Sequence, residues 1–290
     1  MSTETMKRPR SAEPGAAGSG KLKFSGVLRS EFIKFFSLPS TLILILSTLV
    51  VMVGFAALSA WGIGVSMEAM ASDPEMMAQM GVMGDMETMA AAIPGSGLMF
   101  AQLIMGALAV MVMSSEFATG AARSTFVAVP NRQLVLGAKT LLVSIVSIVV
   151  ALVSLLLSYL LAKPIAENYK LSLEFSSEAF QRQLWFGVLY VLMVSLIALA
   201  LGALLRNSAG GIVVLAALFF VLPIAVGSLS SIVSWLADVA RFLPDAAGTA
   251  LMMMPGADNA LETWASGLVV AGWCIIPLAF AAVTLQRRDI

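Results

Sequence analysis

LILILSTLVVMVGFAALSAWGIG, Leu42–Gly64, decides how the rest of the chain is read. These 23 residues carry no charge, and Ser47, Thr48 and Ser59 are their only hydroxyl side chains. At 1.5 Å per residue a helix of this length measures about 35 Å, enough to cross a hydrocarbon core of about 30 Å. The stretch lies inside a charge-free gap of 33 residues, Phe35–Met67. Five comparable gaps follow: Thr88–Ser115 (28), Thr140–Ala162 (23), Gln183–Leu205 (23), Asn207–Ala237 (31) and Thr263–Gln286 (24). The next longest, Ala246–Ala257, has only 12 residues, too few to span. Composition agrees: 59% of the chain is apolar and 12% is charged, against about 25% charged in globular domains. The sequence therefore predicts an all-α polytopic membrane protein with six transmembrane helices. Their expected positions are Leu42–Gly64, Gly97–Ser114, Leu141–Leu161, Leu184–Leu204, Gly211–Ile232 and Ser266–Leu285.

Several kinds of chemistry lose ground at once. The chain has no histidine, so it lacks the usual proton shuttle and zinc ligand of neutral pH. Its single cysteine, Cys274, permits no internal disulfide and reads as a small core residue of the sixth span. The six expected spans contain no Asp, Glu, Lys or Arg. That argues against a proton relay and against acid–base catalysis within the membrane, so the chain is not expected to be an enzyme. Energy for uphill transport would then come from a partner. The run Gly15–Lys21 fits GxxxxGK, but Leu22 stands where a phosphate loop needs Ser or Thr. It also sits in a Pro/Gly/Ser/Ala-rich tail, residues 1–20, that reads as disordered and without the apolar core of a signal peptide.

Basic residues give the chain a sidedness. The N-terminal region, the second and fourth loops and the C-terminus hold 13 of the 17 basic residues. Only Lys163, Lys170, Arg182 and Arg241 lie on the other side, which carries 12 of the 17 acidic ones. The positive-inside rule places both termini in the cytoplasm. Before the first span, residues 22–38 repeat Phe24, Leu28, Phe32 and Phe35/Phe36 at helical spacing beside Lys23, Arg29 and Lys34. This predicts an N-terminal cytoplasmic interfacial helix ended by Pro39, with Ser40 or Thr41 capping the span that follows. Residues 21–290 then form one six-span domain, with external loops near 66–96, 162–183 and 233–265.

The most informative polar stretch, near residues 115–133, follows the second span. Glu116 and Arg123 are seven residues apart, about two helical turns, and Gly120 offers a close approach four residues from Glu116. Pro130 stops the helix, while Arg132 and Lys139 flank the return into the membrane. A short polar helix at the cytoplasmic mouth suits the docking of a soluble subunit.

At this point the chain resembles the six-span permease subunits of bacterial ABC-2-type ATP-binding-cassette exporters. The resembling features are Arg29-Ser-Glu31-x-x-Lys34, Glu116-x-x-x-Gly120-x-x-Arg123, Pro130 with Arg132, and the terminal Arg287-Arg288-Asp289. Asn131 departs from the pattern, since a second basic residue is common beside the proline. The resemblance implies an inner or plasma membrane location and a homodimer of this chain, or a pair with a related permease. It also implies a soluble ATP-binding-cassette ATPase that binds the ATP and Mg; no cofactor is expected on this chain, and no nucleic acid as a partner. It makes Glu31, Glu116, Gly120, Arg123 and Arg132 candidates for coupling to that ATPase. A non-transporting scaffold or sensor is the alternative from another class.

The external loops hold the remaining signals. Met67, Met70, Met76, Met77, Met80, Met83, Met86 and Met89 form a stripe that suits apolar packing, or Cu(I) in a copper-handling exporter. Lys170, Glu174, Glu178 and Arg182 step by four and predict a short solvated helix, although Leu171, Leu173 and Phe175 alternate as in an extended strand. Ser234–Leu261 is long enough for a partly inserted turn, with Trp235, Phe242, Pro244 and Pro255 as anchors at the outer head groups. The resemblance implies short re-entrant helices there.

Overall fold

The computed structural model describes residues 23–71, 86–129, 131–230, 232–256 and 260–287. The tail with its GxxxxGK run, Pro130, half of the methionine stripe (Met76, Met77, Met80 and Met83) and Arg288-Asp289 lie outside the described residues.

Helix α1 (Phe24–Ser37) stops at Leu38, and α2 (Pro39–Ala71) begins at the proline. Proline is tolerated there because the first turn of a helix has no partner for its N–H. Ser40 and Thr41 therefore lie inside α2 rather than capping it, a correction to the expected start. Next come α3 (Met86–Ala92), a 3₁₀ turn at Ile93–Gly95, α4 (Leu98–Ala118) and the short α5 (Ala121–Ala128). Two long helices follow, α6 (Arg132–Asn168) and α7 (Glu178–Leu205). The fifth crossing is made of α8 (Ser208–Ala216), a π-helical turn at Ala217–Val221 and α9 (Leu222–Ser230). The chain ends in α10 (Trp235–Ala240), α11 (Pro244–Met252) and α12 (Thr263–Arg287).

Six stretches are long and apolar enough to cross a membrane: Pro39–Ala69, Glu87–Ala118, Arg132–Asn168, Glu178–Leu205, Ser208–Ser230 and Thr263–Arg287. The protein is an all-α, six-span membrane protein with a non-spanning helix before its first span. An even number of crossings puts α1 and the end of α12 on one face, called the α1 face below; the other is the far face.

The fourth span is the axis of the bundle. It buries 72% of its most apolar stretch, against 11% for the fifth and 17% for the sixth. Small residues explain the close packing. A Cβ at Gly202 would lie 2.7 Å from the Val110 carbonyl oxygen of α4, so only glycine allows that approach. The connection from the fourth span to the fifth is equally economical. Arg206 takes a left-handed conformation (φ 51°) after α7, and the Asn207 side chain caps α8 by accepting from the Gly210 N–H at 2.9 Å.

Helix α1 buries Val27, Glu31 and Phe35 and exposes Phe24, Phe32 and Phe36. The aromatic stripe expected to be its apolar face is therefore divided. Phe35 joins the core, and the others are left for an apolar surrounding such as the lipid interface.

Two loops differ from expectation. No helix joins Lys170 to Arg182; Lys170 has φ 61°, and α7 starts only at Glu178, capped by the Ser177 hydroxyl. Alternation prevails because an extended segment turns Leu171 and Leu173 to the same side, where both are buried. Phe175 then completes an aromatic group with Tyr159 and Phe180, ring centroids 4.7–5.4 Å apart.

The last far-face connection folds back into the bundle. Asp245 bonds Tyr190, the twelfth residue after the start of α7, so at 1.5 Å per residue it sits about 18 Å along that helix. The Trp273 indole donates to the Phe242 carbonyl at 2.9 Å, ten residues and about 15 Å along α12. Arg182, near the start of α7, donates to the carbonyls of Leu251 and Met253 at 3.0 and 2.9 Å. Thus α11 rises from mid-depth to the far face. Pro244 is buried, while Phe242 and Trp235 stay exposed.

Candidate functional site

Four charged side chains meet where α1, α4 and α6 converge. The Lys139 ammonium contacts Glu31 at 2.5 Å and Glu116 at 2.9 Å, and donates to the Val112 carbonyl at 3.1 Å. Lys34 contacts the same two carboxylates at 3.0 and 3.1 Å and donates to the Thr125 hydroxyl of α5 at 3.3 Å. Lys139 and Glu31 are 2% and 3% exposed, and Glu116 is 13% exposed. Two positive and two negative charges therefore close on one another, the arrangement that makes charge burial tolerable. Lys34 is 45% exposed and forms the outer edge. Burial pulls its ammonium pKa down, but Glu31 and then Glu116 outweigh this and hold it above the ordinary lysine value.

The sequence placed Lys139 as an orientation signal and the spans as charge-free. The second reading is corrected, because the helices outrun their apolar windows, and Lys139 also has partners inside the bundle. Glu116 lies in the last turn of α4, and Lys139 lies about 10 Å into α6. The coupling segment is corrected too. Gly120 has φ 73°, a left-handed conformation that ends the helical run and is costly for other residues. Glu116 and Arg123 therefore do not share one helical face. Glu116 turns inward to the lysines, while Arg123 lies exposed on α5 with Val127, itself 82% exposed.

Of the five candidates, Glu31 and Glu116 come together, and Gly120 is the joint between α4 and α5. Arg123 stays outside the cluster. Arg132 serves another contact, donating to the Leu285 carbonyl at 2.8 Å and tying the start of α6 to the end of α12. Asn131 caps α6 by accepting from the Gln133 N–H at 3.2 Å, which explains an amide at this position. Lys34, Lys139 and Thr125 are the site members that sequence reasoning missed as a group. Their signal was weak: Lys139 follows Glu116 by 23 residues, and nothing local predicts that they meet.

A cavity of about 620 Å³ opens beside the cluster between α1, the start of α2, the end of α4 and α5. Its polar lining includes Lys34, Glu116, Ser124 and Thr125, and Leu44 and Leu108 contribute to its apolar wall. The arrangement supplies no nucleophile paired with a base. Its contacts tie α1 and α5 to the ends of α4 and α6. No protein-family model matches this chain, and no curated protein matches it.

Proposed function

We propose that the chain is the membrane-spanning permease subunit of an ATP-driven exporter of the ABC-2 type. It performs no bond-breaking chemistry itself and takes its energy from a separate cytosolic cassette ATPase. The observation that carries this reading is α5, a short helix that is largely exposed yet linked to the rest of the α1 face. It joins α4 through the Gly120 turn and meets Lys34 of α1 through Thr125. A soluble subunit pressing on Arg123 and Val127 has two routes into the bundle. On this reading the α1 face is cytoplasmic, in agreement with the positive charge of that side. The lightly packed first, fifth and sixth spans are available to a second copy and to lipid.

The test is purification of the full chain from its native membrane. A soluble cassette ATPase should accompany it in equal numbers, with ATP hydrolysis measurable in the complex. Arg123→Glu should lower the ATPase content of equal amounts of inserted protein, whereas Glu68→Lys at the end of α2 should leave it unchanged. A wild-type chain that purifies without an ATPase refutes the reading; an unaffected Arg123→Glu complex refutes the docking position.

A further inference from the structure

On the far face a second polar group has the opposite character to the closed cluster. Asp245 stands in the first turn of α11, and its Oδ1 accepts the Tyr190 hydroxyl at 2.6 Å. The same hydroxyl lies against the side-chain amide oxygen, Oε1, of Gln102 on α4. A tyrosine has one proton to donate. Both contacts are satisfied when the Gln102 amide N–H points at the Tyr190 oxygen and the Tyr190 O–H points at Asp245, an orientation that the similar shapes of amide O and N permit. The relay thus ends on the carboxylate. Among the described residues no salt bridge reaches Asp245.

This carboxylate lines a cavity of about 370 Å³, within the usual range for small-molecule sites of about 300–1,000 Å³. Phe219, Phe220 and Met252 form part of its apolar wall, and Tyr190 meets Phe219 edge to face with ring centroids 6.3 Å apart. The backbone is irregular at the same place. The π-helical turn Ala217–Val221 directly precedes Pro223, whose ring is incompatible with an ordinary bond to the Phe219 carbonyl. The widened turn presents Phe219 and Phe220 to the cavity. At a rim made of Met99 and Ile224 the walls become exposed and remain apolar.

We infer that this cavity binds a lipophilic monocation, with Asp245 facing the positive charge and Tyr190, Phe219 and Phe220 around its apolar body. The charge logic selects the class. A carboxylate in apolar surroundings without a counter-ion is costly, and burial raises the pKa of Asp245; a bulky cation beside it restores the ionised form while gaining aromatic contact. An anion meets repulsion from the same oxygen atoms, and a neutral molecule leaves the carboxylate unpaired. That such a cation is exported cargo rests on the proposed function; that it binds does not.

The experiment uses the full chain in lipid nanodiscs, without ATPase or nucleotide, and subtracts binding to empty nanodiscs. Tetraphenylphosphonium and tetraphenylborate are the probes, since they share shape and differ in charge sign. The cation should bind saturably, one per chain, and the anion should neither bind the site nor displace it. Asp245→Asn should weaken cation binding about tenfold or more, as expected for loss of a charge-assisted contact, and Asp245→Glu should retain most of it. Equal binding of the two ions by the wild type overturns the inference, whether or not the variants assemble. So does an Asp245→Asn chain of unchanged melting temperature that binds the cation as the wild type does. Loss of ATPase association would refute the export reading and leave this result standing.

Discussion

Lys139→Met removes the central charge of the α1-face cluster while keeping a side chain of similar length. In its absence Glu31, 3% exposed, and Glu116, 13% exposed, share one remaining partner, Lys34, which is itself 45% exposed. Removing one member of a buried ion pair costs about 3–5 kcal/mol, because the uncompensated charge stays buried. Lys34→Met takes away contacts of comparable length, 3.0 and 3.1 Å, but at a water-screened edge where a pair contributes about 0.2–1 kcal/mol. The two lysines should therefore differ by about 2–4 kcal/mol although each touches both carboxylates. The double variant Glu31→Gln/Lys139→Met removes one charge of each sign and leaves the Lys34–Glu116 pair. It should be more stable than Lys139→Met alone, because no uncompensated carboxylate remains at position 31. Denaturant titration of the purified chain in mixed micelles, with equal amounts of inserted protein, reads all four forms. A Lys139→Met chain within about 1 kcal/mol of wild type, or a Lys34→Met chain equally destabilised, refutes the argument that burial sets the magnitude.

Two glycines give independent checks. Gly202→Leu should destabilise by about 1–3 kcal/mol in the same titration, because its Cβ meets the Val110 backbone, while Gly267→Leu, with open space at that position, should stay within about 0.5 kcal/mol. Gly120→Ala should speed hydrogen exchange of the Ala121–Ala128 amides through strain at φ 73°, and Gly120→Asn should do so less, since asparagine tolerates that conformation; equal protection in both would refute a conformational role for the glycine.

The number and order of the spans were legible because the signal is additive over some 20 residues, and no single substitution in Leu42–Gly64 would hide it. Helix ends were not legible in the same way. Charge-free gaps mark where charge is absent, whereas Glu116 and Lys139 are carried inside their helices because they neutralise each other. Recognising this needs the approach of α4 to α6, a tertiary fact. Glu31 and Glu116 were identified as coupling candidates; their shared pairing with Lys139 follows from the packing of α1 on α6 at Val27, Val135 and Ala138. Gly120 was noticed for its size when its φ was what mattered. Asp245 was passed over because its neighbourhood has no local signature: Tyr190 is 55 residues before it and Gln102 is 88 residues before Tyr190.

The same chemical group is treated in two ways at the two ends of the bundle, and the difference separates the tasks of the two faces. On the α1 face both carboxylates are matched by lysines, so the set is closed and has little left to offer a ligand. A partner there must work through shape and the exposed side chains of α5. On the far face Asp245 has a hydrogen bond from Tyr190 and no counter-ion among the described residues, so the place of a counter-ion is open. Helix α4 belongs to both places: Glu116 is anchored in the closed cluster, and Gln102, 14 residues earlier and about 21 Å away, supports the open one. Between the two places α4 packs closely on α7, at Val110 against Gly202. On the export reading, a push on α5 displaces the end of α4 at Glu116 and alters the support of Tyr190 at the other end. On the same reading the partner meets α5 beside a closed set of charges, and the cation meets the open carboxylate.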